Sequence, residues 1–156
     1  MASKSYHLII VESPSKATTL KKFLGEKYLV EASVGHIRDL PKSDLGIDPE
    51  NKFKTKYVQT ISKENLKKLK SALSSASALY LATDPDREGE AIAWHLVELL
   101  KPTIPIKRLV FHEITKDAIL DSFNHTRDID QDLVNAQETR RVIDRLLGYP
   151  VSNKIW

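Results

Sequence analysis

Leu81-Ala-Thr-Asp84-Pro-Asp86-Arg-Glu88-Gly-Glu90-Ala-Ile-Ala-Trp94 is the stretch on which the reading of this chain turns. Its acids Asp84, Asp86 and Glu88 stand at every second position. Ahead of them lies Ala78-Leu-Tyr-Leu-Ala82, an apolar run with the length of a buried strand. Behind them a helical pattern runs from about Arg87 to Leu100, apolar on most sides through Ile92, Ala93, Leu96, Val97, Leu99 and Leu100. Carboxylates this close repel one another, so a fold that gathers them is expected to bind a cation there.

Working outward, the same alternation recurs. Tyr6-His-Leu-Ile-Ile-Val11 reads as a buried parallel strand, and Ser13-Pro14 opens a helix with Ser13 as N-cap and Pro14 at the first helical position. Ala17, Leu20 and Leu24 share one face of that helix, which Gly25 stops. Tyr28 to Ser33 is a second strand. From Gly35 to about Lys56 the chain is turn-rich, with Pro41, Gly46 and Pro49, and is expected to be a loop excursion from the core. Tyr57 to Ile61 is a short strand. Ser62 caps a helix with Leu66, Leu69 and Leu73 on one face and lysines on the other. Ile106 to Phe111 is a further strand, and Thr115 caps a short helix reaching about Phe123. After a polar break at Asn124 to Asp130, a longer helix is expected from Gln131 to Leu147, ended by Gly148 and Pro150. Strands alternating with helices predict an α/β domain with a largely parallel sheet over residues 1–125. Residues 126–156 read as a helical extension, the opening of another domain.

Composition bounds the function. The 156 residues are 41% hydrophobic and 29% charged, enough for one domain with its own core. A net charge of +3 permits a nucleic-acid partner without requiring one. The chain has no cysteine, which excludes disulfides, thiolate zinc sites and cysteine nucleophiles within it. Leu8 to Val11 is too short for a signal sequence, and no other stretch approaches membrane-spanning length. A soluble, monomeric protein of the cytoplasm is expected, with no membrane partner.

In open parallel sheets, ligands sit beyond the carboxyl ends of the strands. Two strand ends here carry acids, Glu12 after the first and Asp84 after the third. If those strands are neighbours, Glu12 faces the acidic turn across one crevice. Pro85 biases Asp84 towards an extended conformation, so Asp84 and Asp86 can point to one side, with Glu88 in the first turn of the helix. Oxygen ligands without His or Cys suit Mg²⁺ better than zinc, and Mg²⁺ pairs naturally with a phosphate ester. Lys16, one turn beyond Glu12, lies near a helix N-terminus that already favours anions. Single charges at such places are commonly just solvated, and acids in a first helical turn are favoured by the helix dipole alone. The combination is the stronger signal.

Asp84-x-Asp86-x-Glu88 after a strand, with an acid at the end of an earlier one, resembles the Toprim domain of topoisomerases, primases and some nucleases. Further stretches are similar to the signatures of bacterial-type (type IA) DNA topoisomerases. They are Ile10-Val-Glu12-Ser-Pro-Ser-Lys16-Ala, Ser33-Val-Gly-His36-Ile-Arg38-Asp-Leu-Pro41, Thr83 to His95, Arg108-Leu-Val-Phe-His-Glu-Ile-Thr115 and Asn135 to Tyr149, in that order. The resemblance implies a Toprim fold, a four-stranded sheet flanked by helices with a helical C-terminal extension, and a magnesium-assisted enzyme that relaxes negatively supercoiled DNA without ATP. It implies that Glu12 exchanges a proton with the 3′ oxygen at the scissile phosphate and that Lys16 stabilises that phosphate. Asp84, Asp86 and Glu88 would hold Mg²⁺, with Glu12 beside it. Arg108 would be catalytic, and His36 and Arg38 would lie near the DNA path. Arg140, Arg141 and Asp144 would open a domain that binds single-stranded DNA. Arg140 and Asp144 also have the spacing of a plain surface ion pair. His95 reads as a packed helix histidine and stays outside the expected site.

In type IA enzymes a tyrosine attacks the phosphate, in a context of Arg-Thr-Asp-Ser. None of Tyr6, Tyr28, Tyr57, Tyr80 and Tyr149 has that context. The resemblance therefore implies an N-terminal fragment of a larger enzyme, dependent on the remainder of the same polypeptide and inactive alone. Other readings remain open. A Toprim nuclease or primase would use the same acids with water or a nucleotide 3′-OH. A phosphatase could use Asp84 as nucleophile. A non-catalytic module could grip nucleic acid with the lysines from Lys52 to Lys70, which otherwise form a solvated helix face.

Overall fold

The computed structural model describes residues 6–33, 37–39, 47–48, 54–55 and 57–154, with side chains over 6–33, 37–38 and 57–147. Its centre is β1 (Tyr6–Val11), the strand whose side chains are buried on both faces. β1 pairs with β2 (Tyr28–Ala32) on one side and with β7 (Ala76–Leu81) on the other, both parallel, and β8 (Ile106–Arg108) extends the sheet beyond β7. The order is β2-β1-β7-β8. This is the largely parallel four-stranded sheet that alternating strand and helix patterns predict.

Alternation along β1 sorts the two cores. Leu8 and Ile10 face one side, where Leu79 and Leu81 of β7 join them. The helices α2 (Lys63–Ser74) and α3 (Arg87–Leu100) close that side with Leu69, Ala72, Ile92 and Leu96. Ile9 and Val11 face the other side, closed by α1 (Pro14–Phe23) through Ala17 and Leu20 and by α4 (Lys116–Ser122) through Ile119. A period of two on a strand buried on both faces gives three layers, helices over sheet over helices. α5 (Gln131–Lys154) packs outside α3.

The expected caps form. Ser13 Oγ accepts from Lys16 N (3.3 Å), Ser62 Oγ from Asn65 N (3.1 Å) and Thr115 Oγ1 from Ala118 N (3.2 Å). Other expectations need correction. The strand expected at 57–61 shrinks to β6 (Val58–Gln59), which pairs antiparallel with β3 (Arg38–Asp39) and never joins the main sheet. β4 (Ile47–Asp48) and β5 (Lys54–Thr55) pair in the same way, so the excursion contains short antiparallel ribbons. β8 ends at Arg108 instead of Phe111: its partner β7 ends at Leu81, whose carbonyl accepts the last ladder bond from Leu109 N, while Arg108 N and O bond to Arg127. Helix α5 runs through Gly148 and Pro150 to Lys154. Proline matches helical φ and removes one hydrogen bond of the ladder, so it does not by itself force an end. Gly35, His36, Pro41, Gly46 and Pro49 lie outside the described residues. No helix among the described residues is long and apolar enough to cross a membrane.

Burial predicts the energetic weight of each helix. Leu96 of α3 is fully buried, whereas Leu147 near the end of α5 is 70% exposed. Leu96→Ala is expected to cost about 2–5 kcal/mol by large-to-small truncation in a core. Leu147→Ala should stay within about 0.5 kcal/mol, as surface changes do. Urea unfolding followed by circular dichroism measures both.

Candidate functional site

β1 and β7 are adjacent and parallel, and the chain departs from β1 to opposite sides of the sheet, first to β2 and later to β7. That makes their carboxyl ends the topological switch point, where such sheets open a crevice. Ile10 stands opposite Leu81 in register, and Ala82 N donates to Ile10 O (2.9 Å). The residues immediately beyond, Glu12 and Asp84, are thereby brought face to face as the sequence suggests.

Lys16 joins them. Its Nζ lies 3.0 Å from Glu12 Oε1 and 3.2 Å from Asp84 Oδ1, and it stands over the Phe111 ring at 5.3 Å. Glu12 Oε2 accepts from Asp84 N (2.8 Å), so one carboxylate is fixed by an ammonium and a backbone amide. The lysine is mostly buried, while the Asp84 side chain is 59% exposed. Here a cation already sits between two acids, at the start of a helix capped by Ser13.

Asp86 takes a role that the sequence reading does not give it. It is the N-cap of α3, and its Oδ1 accepts from Gly89 N at 2.7 Å. Gly89 must be a glycine for a separate reason. A Cβ there would lie 2.0 Å from Asp84 O, so the first turn of α3 sits directly on the backbone of the acidic turn. Thr83 Oγ1 donates to Gly89 O (2.6 Å), which adds a side-chain tie. Glu88 lines a small hollow with Arg38, Tyr57, His95, Glu138 and Arg141. Among the described residues no three acids or histidines converge closely enough to cage a metal. The turn therefore does not gather Asp84, Asp86, Glu88 and Glu12 around one point. The donor chemistry still suits a hard cation. Mg²⁺ keeps several waters and binds through one or two carboxylates together with phosphate oxygens. Asp84 and the free oxygen of Asp86 offer that much, whereas Glu12 is committed to Lys16 and the Asp84 amide.

Arg108, expected to be catalytic, is completely buried. Nε donates to Glu90 Oε1 (3.0 Å), Nη1 to Leu81 O, Thr83 O and Thr83 Oγ1, and Nη2 to Asp84 O (2.9 Å) and towards Glu90. Every donor is spent on the turn and on Glu90 of α3, so in this structure the arginine ties the turn to that helix. Its partner Glu90, also fully buried, accepts in addition from Arg127 (2.8 and 2.9 Å) and from Asp130 N (2.7 Å). Burial pushes the Glu90 carboxyl up, but the hydrogen bonds from Arg127, Asp130 N–H and Arg108 outweigh it and hold it at about 2. Neither Glu90 nor Arg127 stands out in the sequence. The signal that could have found them is a charged residue at an apolar position of α3, since unpaired acids are almost never buried.

The remaining expected residues sit apart from the Glu12–Lys16–Asp84 group. Arg38 and Arg141 line the hollow beside Glu88, and Arg140 and Asp144 are exposed on α5. His36 lies outside the described residues. His95, set aside on sequence grounds, is a mostly buried partner of Arg38 and Glu138.

Two variants test the framework. Gly89→Ala should destabilise the fold by about 3 kcal/mol, at the upper end of overpacking effects, because the obstructing atoms are backbone. Glu90→Gln should cost about 3 kcal/mol at pH 7 by stranding buried Arg108. A depressed carboxyl pKa gives stability that is complete above the unfolded value, 4.5, and lost as pH falls towards about 2. The gap between wild type and Glu90→Gln in urea unfolding should therefore narrow below pH 4.5.

Comparison with known proteins agrees with this geometry. The family model of the Toprim domain matches residues 7–114, which include the sheet, the acidic turn and α3. The chain is 55% identical to DNA topoisomerase 1 of Streptomyces coelicolor over 96% of its own length and 17% of that protein's. Identity to DNA topoisomerase 1 of Synechococcus elongatus is 51%, over 96% of the chain and 19% of the relative. It therefore spans less than a fifth of the length of these curated relatives. Full-length topoisomerase I from Thermotoga maritima superposes with a TM-score of 0.85 at 43% identity, over 96% of this chain and 26% of that one. With its family match lying on the strands and turn that assemble Glu12, Lys16 and Asp84, the chain belongs to the Toprim family.

Proposed function

We propose that this chain is the acid and cation half of the active centre of a type IA DNA topoisomerase. It would act on a single-stranded segment of negatively supercoiled DNA in the bacterial cytoplasm. The observation that carries the reading is Lys16 held between Glu12 and Asp84 at the switch point of the sheet. Similarity to DNA topoisomerases 1 over 96% of the chain supports it. Residues 1–125 form the Toprim unit on this reading, and residues 126–156 begin a helical unit that carries DNA contacts at Arg140, Arg141 and Asp144.

Strand cleavage exchanges a P–O3′ bond for a P–O bond to tyrosine, and rejoining reverses it. The tyrosine loses a proton and the 3′ oxygen gains one, so bond energy is conserved and no ATP is needed. Glu12, held by Lys16 and the Asp84 amide, is the group that exchanges a proton with the 3′ oxygen, so that the proton lost by the tyrosine is the one gained there, and rejoining returns it. Lys16 offers its positive charge to the phosphate oxygens. Asp84 and Asp86 would hold Mg²⁺, which supplies charge neutralisation at the phosphate. Arg108, Glu90 and Gly89 keep the turn in register with Glu12. The tyrosine must come from elsewhere in the polypeptide, since none of the five here has the required context.

The 156-residue chain should therefore bind Mg²⁺ weakly and leave a supercoiled plasmid supercoiled. Calorimetric titration should show the Mg²⁺ signal lost in Asp84→Asn and weakened in Asp86→Asn, a change that keeps the cap because Asn caps as well as Asp. Plasmid relaxation by this chain, abolished by Glu12→Gln, would refute the division of labour. Hydrolysis of single-stranded DNA by the chain, with water as nucleophile, would favour a Toprim nuclease instead.

A further inference from the structure

Arg38 is held by more groups than a solvated arginine needs. Its guanidinium carbon lies 4.9 Å from the Tyr57 ring centroid and 5.3 Å from that of Trp94. Its Nε donates to His95 Nδ1 at 3.0 Å. His95 Nε2 lies 3.1 Å from Glu138 Oε1, and the same oxygen accepts from Tyr57 OH at 2.6 Å. The groups come from four elements or their flanks: β3, the residue before β6, α3 and α5.

The chemistry of the donors fixes the protons. Arginine Nε can only donate, so His95 Nδ1 is an acceptor and carries no hydrogen. The imidazole proton is therefore on Nε2 and is donated to Glu138. Burial pushes the Glu138 carboxyl up, but hydrogen bonds from His95 and Tyr57 outweigh it and keep it below its ordinary value, hence ionised at neutral pH. Direction runs one way through the set, from Arg38 to His95 to Glu138, with Tyr57 anchoring the far end. An imidazole locked in one tautomer by a carboxylate is a positioning device.

What it positions is the rest of the guanidinium. With Nε occupied and the guanidinium carbon close to two rings, the Nη groups are the part left to face a ligand, and they make no hydrogen bond among the described residues. Arg38 lines the hollow that also takes in Glu88, at the start of the acidic turn's helix, and Arg141 of α5. A planar, always-charged fork with fixed orientation suits a phosphate oxygen pair, and lysine could replace neither the fork nor the stacking. We propose that Arg38 is a preset phosphodiester-binding group at the rim of the carboxylate turn, oriented by His95, Glu138 and Tyr57. This rests on the DNA reading above and assigns those three residues a role in it. Pre-ordering matters because an arginine fixed before contact loses less freedom on binding.

A double-mutant cycle tests it. The 156-residue chain is titrated into a fluorescein-labelled single-stranded oligonucleotide, with anisotropy recorded across a range of KCl concentrations. Arg38→Gln should weaken binding roughly tenfold and reduce the salt slope by about 0.7, the value for one phosphate contact on a single strand. His95→Phe should weaken binding roughly threefold to tenfold alone but less than twofold in the Arg38→Gln background, since it acts through that residue. His95→Asn, which keeps an acceptor near the Nδ1 position, should recover most of the loss. If His95→Phe fails to fold by circular dichroism, Glu138→Gln takes its place in the same cycle. Losses that simply add in the double mutant, or an unchanged salt slope in Arg38→Gln, overturn the proposal while leaving the DNA reading intact. A wild-type chain with no salt-dependent binding to the oligonucleotide overturns both.

Discussion

A guanidinium with no access to solvent governs the geometry of this molecule. Arg108 reaches from the edge of β8 under the end of β7 and takes up Leu81 O, Thr83 O and Asp84 O, carbonyls that have left or are leaving the sheet ladder. Leu81 O also accepts from Leu109 N, but Thr83, fully buried, has its carbonyl paired by this guanidinium, and unpaired buried carbonyls are costly. The charge that satisfies them must itself be balanced, which is why Glu90 is also buried and why Arg127 and Asp130 N–H close around it. One strand end that must turn sharply towards solvent thus accounts for a chain of charges extending to the start of α5.

The same turn carries an electrostatic tension that Lys16 relieves. Glu12 and Asp84 approach because the parallel pairing of β1 and β7 leaves them no alternative. An ammonium bridging them offsets their mutual repulsion. It is also the one charge in the group that a phosphate could recruit, and Asp84, being largely exposed, is the acid that an incoming cation could take over. On the proposed function, Lys16 and a metal would compete for Asp84 but cooperate on a phosphate.

Legibility in the sequence followed the range of the interaction. Strands, caps and the four-stranded parallel sheet were readable because they depend on local periodicity and on Ser-Pro or Thr at helix starts. The meeting of Glu12 with Asp84 was readable because two strand ends sufficed to imply it. The capping role of Asp86 was not singled out because a cap and a ligand require the same short acid before a helix, and only the hydrogen bond to Gly89 N reveals the cap. The burial of Arg108 was unreadable for a different reason. Arginine belongs on surfaces, and nothing near residue 108 shows that three carbonyls some 25 residues earlier will surround it. His95 pairs with residues 57 and 43 positions away, beyond any local pattern.

These long-range pairs share a helix. Glu90 and His95 lie five residues apart on α3, one tied to Arg108 and Arg127, the other to Arg38 and Glu138. α3 begins at the cap supplied by Asp86 and rests on Asp84 through Gly89, so its position and that of the acidic turn cannot vary independently. Residues beyond the end of the family match, Arg127 and Asp130 before α5 and Glu138 within it, grip α3 by buried or half-buried polar contacts. Apolar packing between α3 and α5 would tolerate sliding, whereas hydrogen-bonded carboxylates do not, because displacement leaves a buried charge unpaired. A force that moved α5 would be felt at Asp84 and Asp86 before it broke anything in the sheet.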